Sequence, residues 1–454
     1  MKPILCALQV LFLALSASAA TRHYYIAAED VAWDYAPSGY DLLHGRAIPP
    51  PWHGHTRWLK TRYIEYTDAT FTVRKPQPAW LGILGPIIRA EVGDTIVVEF
   101  LNRSKLPHSM HPHGLRYDKD DEGAMYMPSG RGASVDSGDR FTYHWYANAG
   151  SGPGPGQLSS TVWWYHSHTD EPSETNAGLL GPIIVTAKGK ARPDGSPKDV
   201  DQEFVAAYMI FDEMRGQDAG LFHAINGYVF GNLPGLVMKQ GEHVRWYLMG
   251  MGNERDLHTP HWHGETLTDG HRNADVVELL PASTVTMDMN ADNPGTWLFH
   301  CQVTDHMEAG MMSEYTIYQP EGRCPLSFPH AALWGDSSSS VTVRNNSAKT
   351  ITRMQVEFDR LITPQFRMRP VDYSKTWEVR LAPGQQATLP APESLARQSQ
   401  GIEAWAVFPL AIVYSDGTSW KPAADGQCFQ AFWRGKDHPQ LEVLPPLQLD
   451  MEQD

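Results

Sequence analysis

The chain has 454 residues, a length that favours about three domains of ordinary size. Its 37 Lys and Arg stand against 52 Asp and Glu, for a net charge of −15. That balance repels nucleic acid and anionic lipid and excludes both as expected partners.

Residues 1–20 read as a secretory signal peptide. Lys2 precedes an apolar run from Ile4 to Leu15, small residues follow at Ala17–Ala20, and the run is too short to span a membrane. No other stretch approaches a spanning length, so the mature chain is expected to be soluble and secreted or periplasmic.

Residues 21–190 carry short alternating runs between turn residues. Ile96, Val98 and Phe100 alternate with more polar neighbours after Gly93-Asp94. Period-2 patterning of this kind predicts half-buried antiparallel strands and a β-sandwich. The run contains His108-Ser-Met-His111-Pro-His113-Gly and later Trp164-Tyr-His166-Ser167-His168. The polar segment 188–198 reads as a linker. Residues 200–320 repeat the scheme. Val244, Trp246 and Leu248 alternate after Gly241-Glu242, and His258-Thr-Pro-His261-Trp-His263-Gly leads to Leu298-Phe-His300-Cys301-Gln302. A repeat of this length predicts two homologous sandwiches. From about residue 326 to 454 the histidine motifs stop. Runs such as Val341-Thr-Val-Arg-Asn and Ala411-Ile-Val-Tyr predict a third, Ig-like β-sandwich with no evident chemistry. The expected fold class is therefore all-β.

The histidine spacings are metal spacings. Residues i and i+2 of a strand point to one side, so His111/His113, His166/His168 and His261/His263 each present two imidazoles to one face. One such pair alone is equally an exposed or hydrogen-bonded couple; three pairs beside a His-Cys junction point to shared metal. Cys301, His306 and Met311, with an upstream imidazole in His258-Thr-Pro-His261, make the His₂Cys set with an axial Met that characterises blue-copper electron transfer. His300 and Cys301 are adjacent and face opposite sides of their strand, which bridges two metal centres covalently. When the repeats are aligned, Ser167 stands where Cys301 does, Pro172 where His306 does and Ala177 where Met311 does. The first sandwich keeps His108 but is expected to lack a blue site. Of the four cysteines, Cys6 leaves with the leader and Cys301 goes to metal. Cys324 and Cys428 remain, as one disulfide or as two buried thiols.

Further phrases carry a resemblance. Leu84-Gly-Pro-Ile-Ile-Arg-Ala-Glu-Val-Gly-Asp, Glu122-Gly-Ala-Met-Tyr, Phe222-His-Ala-Ile-Asn-Gly, Gly231-Asn-Leu-Pro-Gly, Met249-Gly-Met-Gly-Asn-Glu and Val303-Thr-Asp-His306 resemble the multicopper oxidases, in particular the ceruloplasmin/hephaestin branch. The resemblance covers about residues 21–320 and implies two cupredoxin-like Greek-key sandwiches. It implies His258, Cys301, His306 and Met311 as type 1 copper ligands and His111 and His261 as type 2 ligands. His113 and His166 would hold one type 3 copper, and His168, His263 and His300 the other. Electrons from a reducing substrate would enter at the type 1 site and pass through Cys301 and His300 to a trinuclear cluster that reduces O2.

Gln302 departs from the family's usual His-Cys-His and removes one imidazole from the type 3 copper of His113 and His166. An amide oxygen is a weaker copper ligand than an imidazole, so that ion is expected to be labile, or water completes its coordination. The family's six-domain ring implies that a two-domain chain works as a homotrimer, with the cluster between subunits. The branch's iron site maps to Asp218, His223 and Asp305, a set suited to Fe(II). The alternative, weighed slightly below the iron site, makes Asp305 a hydrogen-bond acceptor behind the copper ligands and Asp218 an ordinary loop carboxylate. Three readings follow: an exported oxidase of Fe(II), a laccase-like oxidase of phenols or aromatic amines, and a non-catalytic copper carrier if Gln302 empties the cluster. A nitrite reductase is disfavoured, because its cysteine belongs where Ser167 stands.

Overall fold

The computed structural model describes residues 19–215, 217–253, 255–318, 324–333, 339–347, 349–362, 367–369, 373–392, 395, 404–421 and 430–433. All of the expected leader except Ala19 and Ala20, together with Cys6 and Cys428, lies outside the described residues. Cys324 is disulfide-bonded and Cys301 is a free, buried thiol. No helix among the described residues is long and apolar enough to cross a membrane.

The fold is all-β, and the two repeats build the same pair of sheets. In the first, strands Arg57–Tyr66, Thr21–Asp34, Thr95–Asn102, Arg140–Tyr146 and Arg116–Tyr117 face Ile88–Glu91, Leu180–Thr186, Ser160–His166 and His111–Pro112. In the second, a six-stranded sheet centred on His243–Gly250 and Thr284–Asn290 faces Val237–Lys239, Met312–Tyr318, Gly295–Cys301 and Pro260–Trp262. Each repeat contains the same parallel pairing, Thr21–Asp34 on Thr95–Asn102 and Gln202–Asp212 on His243–Gly250. The alternation read from Ile96, Val98 and Phe100 is the inward row of its strand, each residue wholly buried. Trp246 and Leu248 play the same part in the second repeat.

The sandwiches share an apolar seam. Tyr35, Ile83, Trp164, Phe211, Phe222 and Tyr247 belong to one buried cluster drawn from both. Polar groups add to it. Arg245, fully buried, donates to Asp288 at 2.6 and 2.7 Å and to Ser160 Oγ of the first sandwich at 2.8 Å. A buried guanidinium is tolerable only when fully paired in this way. The described strands from Leu326 onward form two further sheets around a separate core that includes Phe328, Val356, Phe358 and Trp405.

The function-bearing consequence is register. In each repeat a two- or three-residue edge strand pairs antiparallel with the penultimate long strand, setting His111 opposite His166 and His261 opposite His300. Directly opposed residues have Cβ atoms about 5 Å apart, so the sheet itself gathers the imidazoles.

Candidate metal centre

Cys301 ends the strand Gly295–Cys301, and the chain then turns into the short helix Thr304–Glu308 that carries His306. His258 comes from the preceding loop, held by paired backbone hydrogen bonds with Leu279 at 2.9 Å. The three side chains converge. His258 Nδ1 lies 3.2 Å from His306 Nδ1, and Cys301 Sγ lies 3.9 and 3.7 Å from those two nitrogens. Trigonal ligation with bonds of about 2.0 Å to nitrogen and about 2.3 Å to sulfur needs separations of about 3.5 Å and about 3.7 Å. The site therefore fits one such ion. His258, Cys301 and His306 are buried at 1, 0 and 7% exposure. Met311, wholly buried in the same core as Cys301, is tied by its backbone to both Cys301 and His306 at 3.0 Å.

The electrostatics suit a cation. Burial, reinforced by the neighbouring His258 ring, pushes His306 down to about 4, so its nitrogens are neutral donors at ordinary pH. Burial pushes the Cys301 thiol up, against the pull of the Thr259 and Val303 amides. A bound cation reverses that balance by favouring the thiolate.

Asp256, which sequence reasoning missed, orients His258. Its carboxylate, 0% exposed, faces His258 Nε2 at 3.2 Å and accepts the Ile210 and Asn253 amides at 2.7 and 2.9 Å. The clue in the chain was only a carboxylate two residues before a candidate ligand.

A second group lies across the backbone from Cys301. His261, His263 and His300 put ring nitrogens within 4.8 Å of one another, with His263 Nε2 and His300 Nε2 3.1 Å apart. An open cavity of about 520 Å³ is lined by His261, His263, Asp275 and Trp297 among others. His111, His113 and His166 form a third group, with His113 Nε2 and His166 Nε2 3.0 Å apart. Burial and the crowding of neighbouring rings hold His113 and His166 near 4. His168 lies beside this group, its ring 5.2 Å from that of His111, with Nε2 3.2 Å from Glu171. Among the described residues, the two imidazole groups do not merge into one within this chain.

In the first sandwich Ser167 Oγ accepts the Ser109 amide at 2.9 Å, and His108 Nδ1 faces Glu174 Oε1 at 2.6 Å. A buried carboxylate thus stands opposite the imidazole nitrogen that its counterpart, His258, turns toward Cys301. Of the expected iron site, His223 lies against His306, ring centres 5.1 Å apart, with a buried Nδ1 that has no partner. Asp218 and Asp305 are exposed and do not join it in a metal-binding group among the described residues.

Two family models described as multicopper oxidase match residues 64–190 and 205–321, the stretches that carry the three groups. Ferroxidase HEPHL1 of Mus musculus is 38% identical over 72% of this chain and 32% of its own length. Hephaestin of Rattus norvegicus is 36% identical over 71% and 31%. Ceruloplasmin of Rattus norvegicus is 36% identical over 66% and 33%. The chain spans about a third of the length of these curated relatives. With both sandwiches matched and a thiolate–imidazole site that fits copper, the chain belongs to the multicopper oxidase family.

Proposed function

We propose that residues 21–190 and 200–320 act as two cupredoxin-like domains of an exported copper oxidase that withdraws single electrons from a donor and reduces O2. The observation that carries this reading is the convergence of His258, Cys301 and His306 on one buried point, with His300 next in the chain paired to His263. Copper in these sites supplies one-electron redox chemistry and a place for O2 to bind. The chain's own residues do the rest. Cys301 and His300 face opposite sides of one strand, so one peptide unit joins the two centres. His300 Nδ1 also donates to the Cys301 carbonyl at 2.8 Å, a second, hydrogen-bonded link. Met311 closes the buried site, and Asp256 fixes the His258 ring.

The family resemblance assigns His258, Cys301, His306 and Met311 as type 1 ligands, His111 and His261 as type 2, and His113, His166, His168, His263 and His300 as type 3. The reading joins the two imidazole groups, which are separate within one chain, across subunits of the homotrimer that the family's six-domain ring implies.

Fe(II) is the favoured donor. His223, with an unpartnered buried nitrogen beside His306, and Asp305, next to that ligand in the chain, support it. So does the resemblance to proteins named ferroxidases. Purified protein with bound copper is assayed with Fe(II) and with a phenol, alongside Asp305→Ala. The reading expects Fe(II) turnover with selective loss in the variant. Equal loss on both donors removes the iron site, and a blue centre without O2 consumption leaves a carrier.

A further inference from the structure

Three imidazoles in these groups are set by what their other nitrogen touches. His111 Nδ1 faces the Glu122 carbonyl at 2.6 Å, His166 Nδ1 the Ser167 carbonyl at 2.9 Å, and His300 Nδ1 the Cys301 carbonyl at 2.8 Å. A carbonyl only accepts, so each Nδ1 carries the proton and each Nε2 keeps its lone pair, the form that can bind a metal. Among the described residues, no such carbonyl faces His261. Its Nδ1 faces the side-chain Oε1 of Gln302 at 2.8 Å. At its Nε2, Asp275 Oδ2 lies 3.7 Å away, beyond hydrogen-bond length.

Resting on the oxidase reading above, we propose that Gln302 is a positioning residue that fixes the tautomer and orientation of His261, not a metal ligand. Nδ1 and Nε2 lie on different edges of the ring, so the amide that holds Nδ1 sits away from the ion that Nε2 addresses. The Gln302 amide is anchored by its own backbone, whose N–H donates to the Thr259 carbonyl at 2.9 Å. The amide must present oxygen to Nδ1, because its NH₂ there would drive the proton to Nε2 and block the metal. The departure from His-Cys-His is then a substitution of one task for another. The centre is built with one imidazole fewer, and the vacated position secures a type 2 ligand. Partners behind metal-bound histidines carry weight of this kind in general.

The test compares the parent, Gln302→Leu and Gln302→Glu in two states. In metal-free protein labelled with 15N-histidine, two-bond proton–nitrogen spectra report tautomers, with His261→Ala identifying the signal. The parent is expected to show His261 with its proton on Nδ1, Gln302→Glu the same, and Gln302→Leu a mixture. In copper-loaded protein, spin resonance and metal analysis are expected to show the type 2 signal of Gln302→Leu altered, with copper held about 10–100-fold more weakly there. Its blue signal stays unchanged and Gln302→Glu restores the parent pattern. An unchanged His261 tautomer in Gln302→Leu overturns the proposal, as does loss of type 3 copper with the type 2 signal intact. A parent without any blue signal overturns the oxidase reading itself, and this proposal with it. Gln302 is exposed, and its removal leaves the core intact.

Discussion

Asp256 and Cys301 divide one task at the scale of single residues: one supplies the charge that binds a cation, the other holds a neighbouring ring to meet it. Asp256 is buried and saturated by two amides and His258, so it cannot move to follow a displaced imidazole. Asp256→Ala is expected to weaken copper at the thiolate centre by about 10–100-fold, measured by competition with a chelator, while the imidazole groups keep their affinity. Glu314 gives a second prediction. It lies opposite Leu298 on Met312–Tyr318, and burial raises its carboxyl to about 7. The folded value exceeds the ordinary 4.5, so the native state holds a proton that the unfolded chain has released. Its contribution is complete below about pH 4.5 and is lost as pH rises through about 7. Glu314→Gln should therefore melt like the parent at pH 4 and be more stable by about 2 kcal/mol at pH 8. Equal melting at both pH values would refute a buried, protonated Glu314.

The element that matters most is the histidine edge strand with the glycine that ends it. Gly114 follows His111-Pro-His113 with φ +69°, and a Cβ there would lie 2.1 Å from the Trp163 ring. Gly264 follows His261-Trp-His263 with φ +77°, and its Cβ would lie 2.7 Å from Trp297. The two tryptophans occupy equivalent places in the repeats, so the same device is built twice. A backbone turned into the left-handed region is pressed onto an indole, which a side chain would forbid. Gly264→Ala should cost about 1–3 kcal/mol of stability, read by thermal melting. It should also disturb copper at His261 and His263 more than at Cys301. The strands and the repeat were legible in the chain because alternation is a local property. The His-X-His pairs, expected within single strands, instead have their second members His113, His168 and His263 just past the ends of His111–Pro112, Ser160–His166 and Pro260–Trp262. Glu174 was not legible. Its carboxylate meets His108 across 66 residues, and only the helix Glu171–Ala177 brings it there.

The whole molecule sets the two imidazole groups in different sandwiches joined by an apolar seam, while the C-terminal strands keep a core of their own. An oxidase that completes its cluster between copies makes a specific demand. A chain with His111→Ala and His113→Ala and a chain with His261→Ala and His263→Ala should each lack the imidazole centre alone. Co-assembled, they should regain part of it, because some interfaces then pair two intact halves. Copper analysis and O2 uptake of the mixed assembly check this, and no recovery would place the cluster within one chain.

The amino-acid order by itself showed a cysteine between two histidine neighbourhoods and a repeated set of strands, while only the family resemblance marked Gln302 as standing where an imidazole is usual. The strands and the His300-Cys301 junction follow from alternation along one strand, where geometry repeats every two residues. Tertiary structure decided which groups stand behind the ligands. Asp256 meets His258 only after its loop is folded against Ile210, and Gln302 reaches His261 only because Pro260–Trp262 pairs with Gly295–Cys301 in one register. A single-residue slip of that register would turn every side chain to the other face, so these contacts exist only in the assembled sheet.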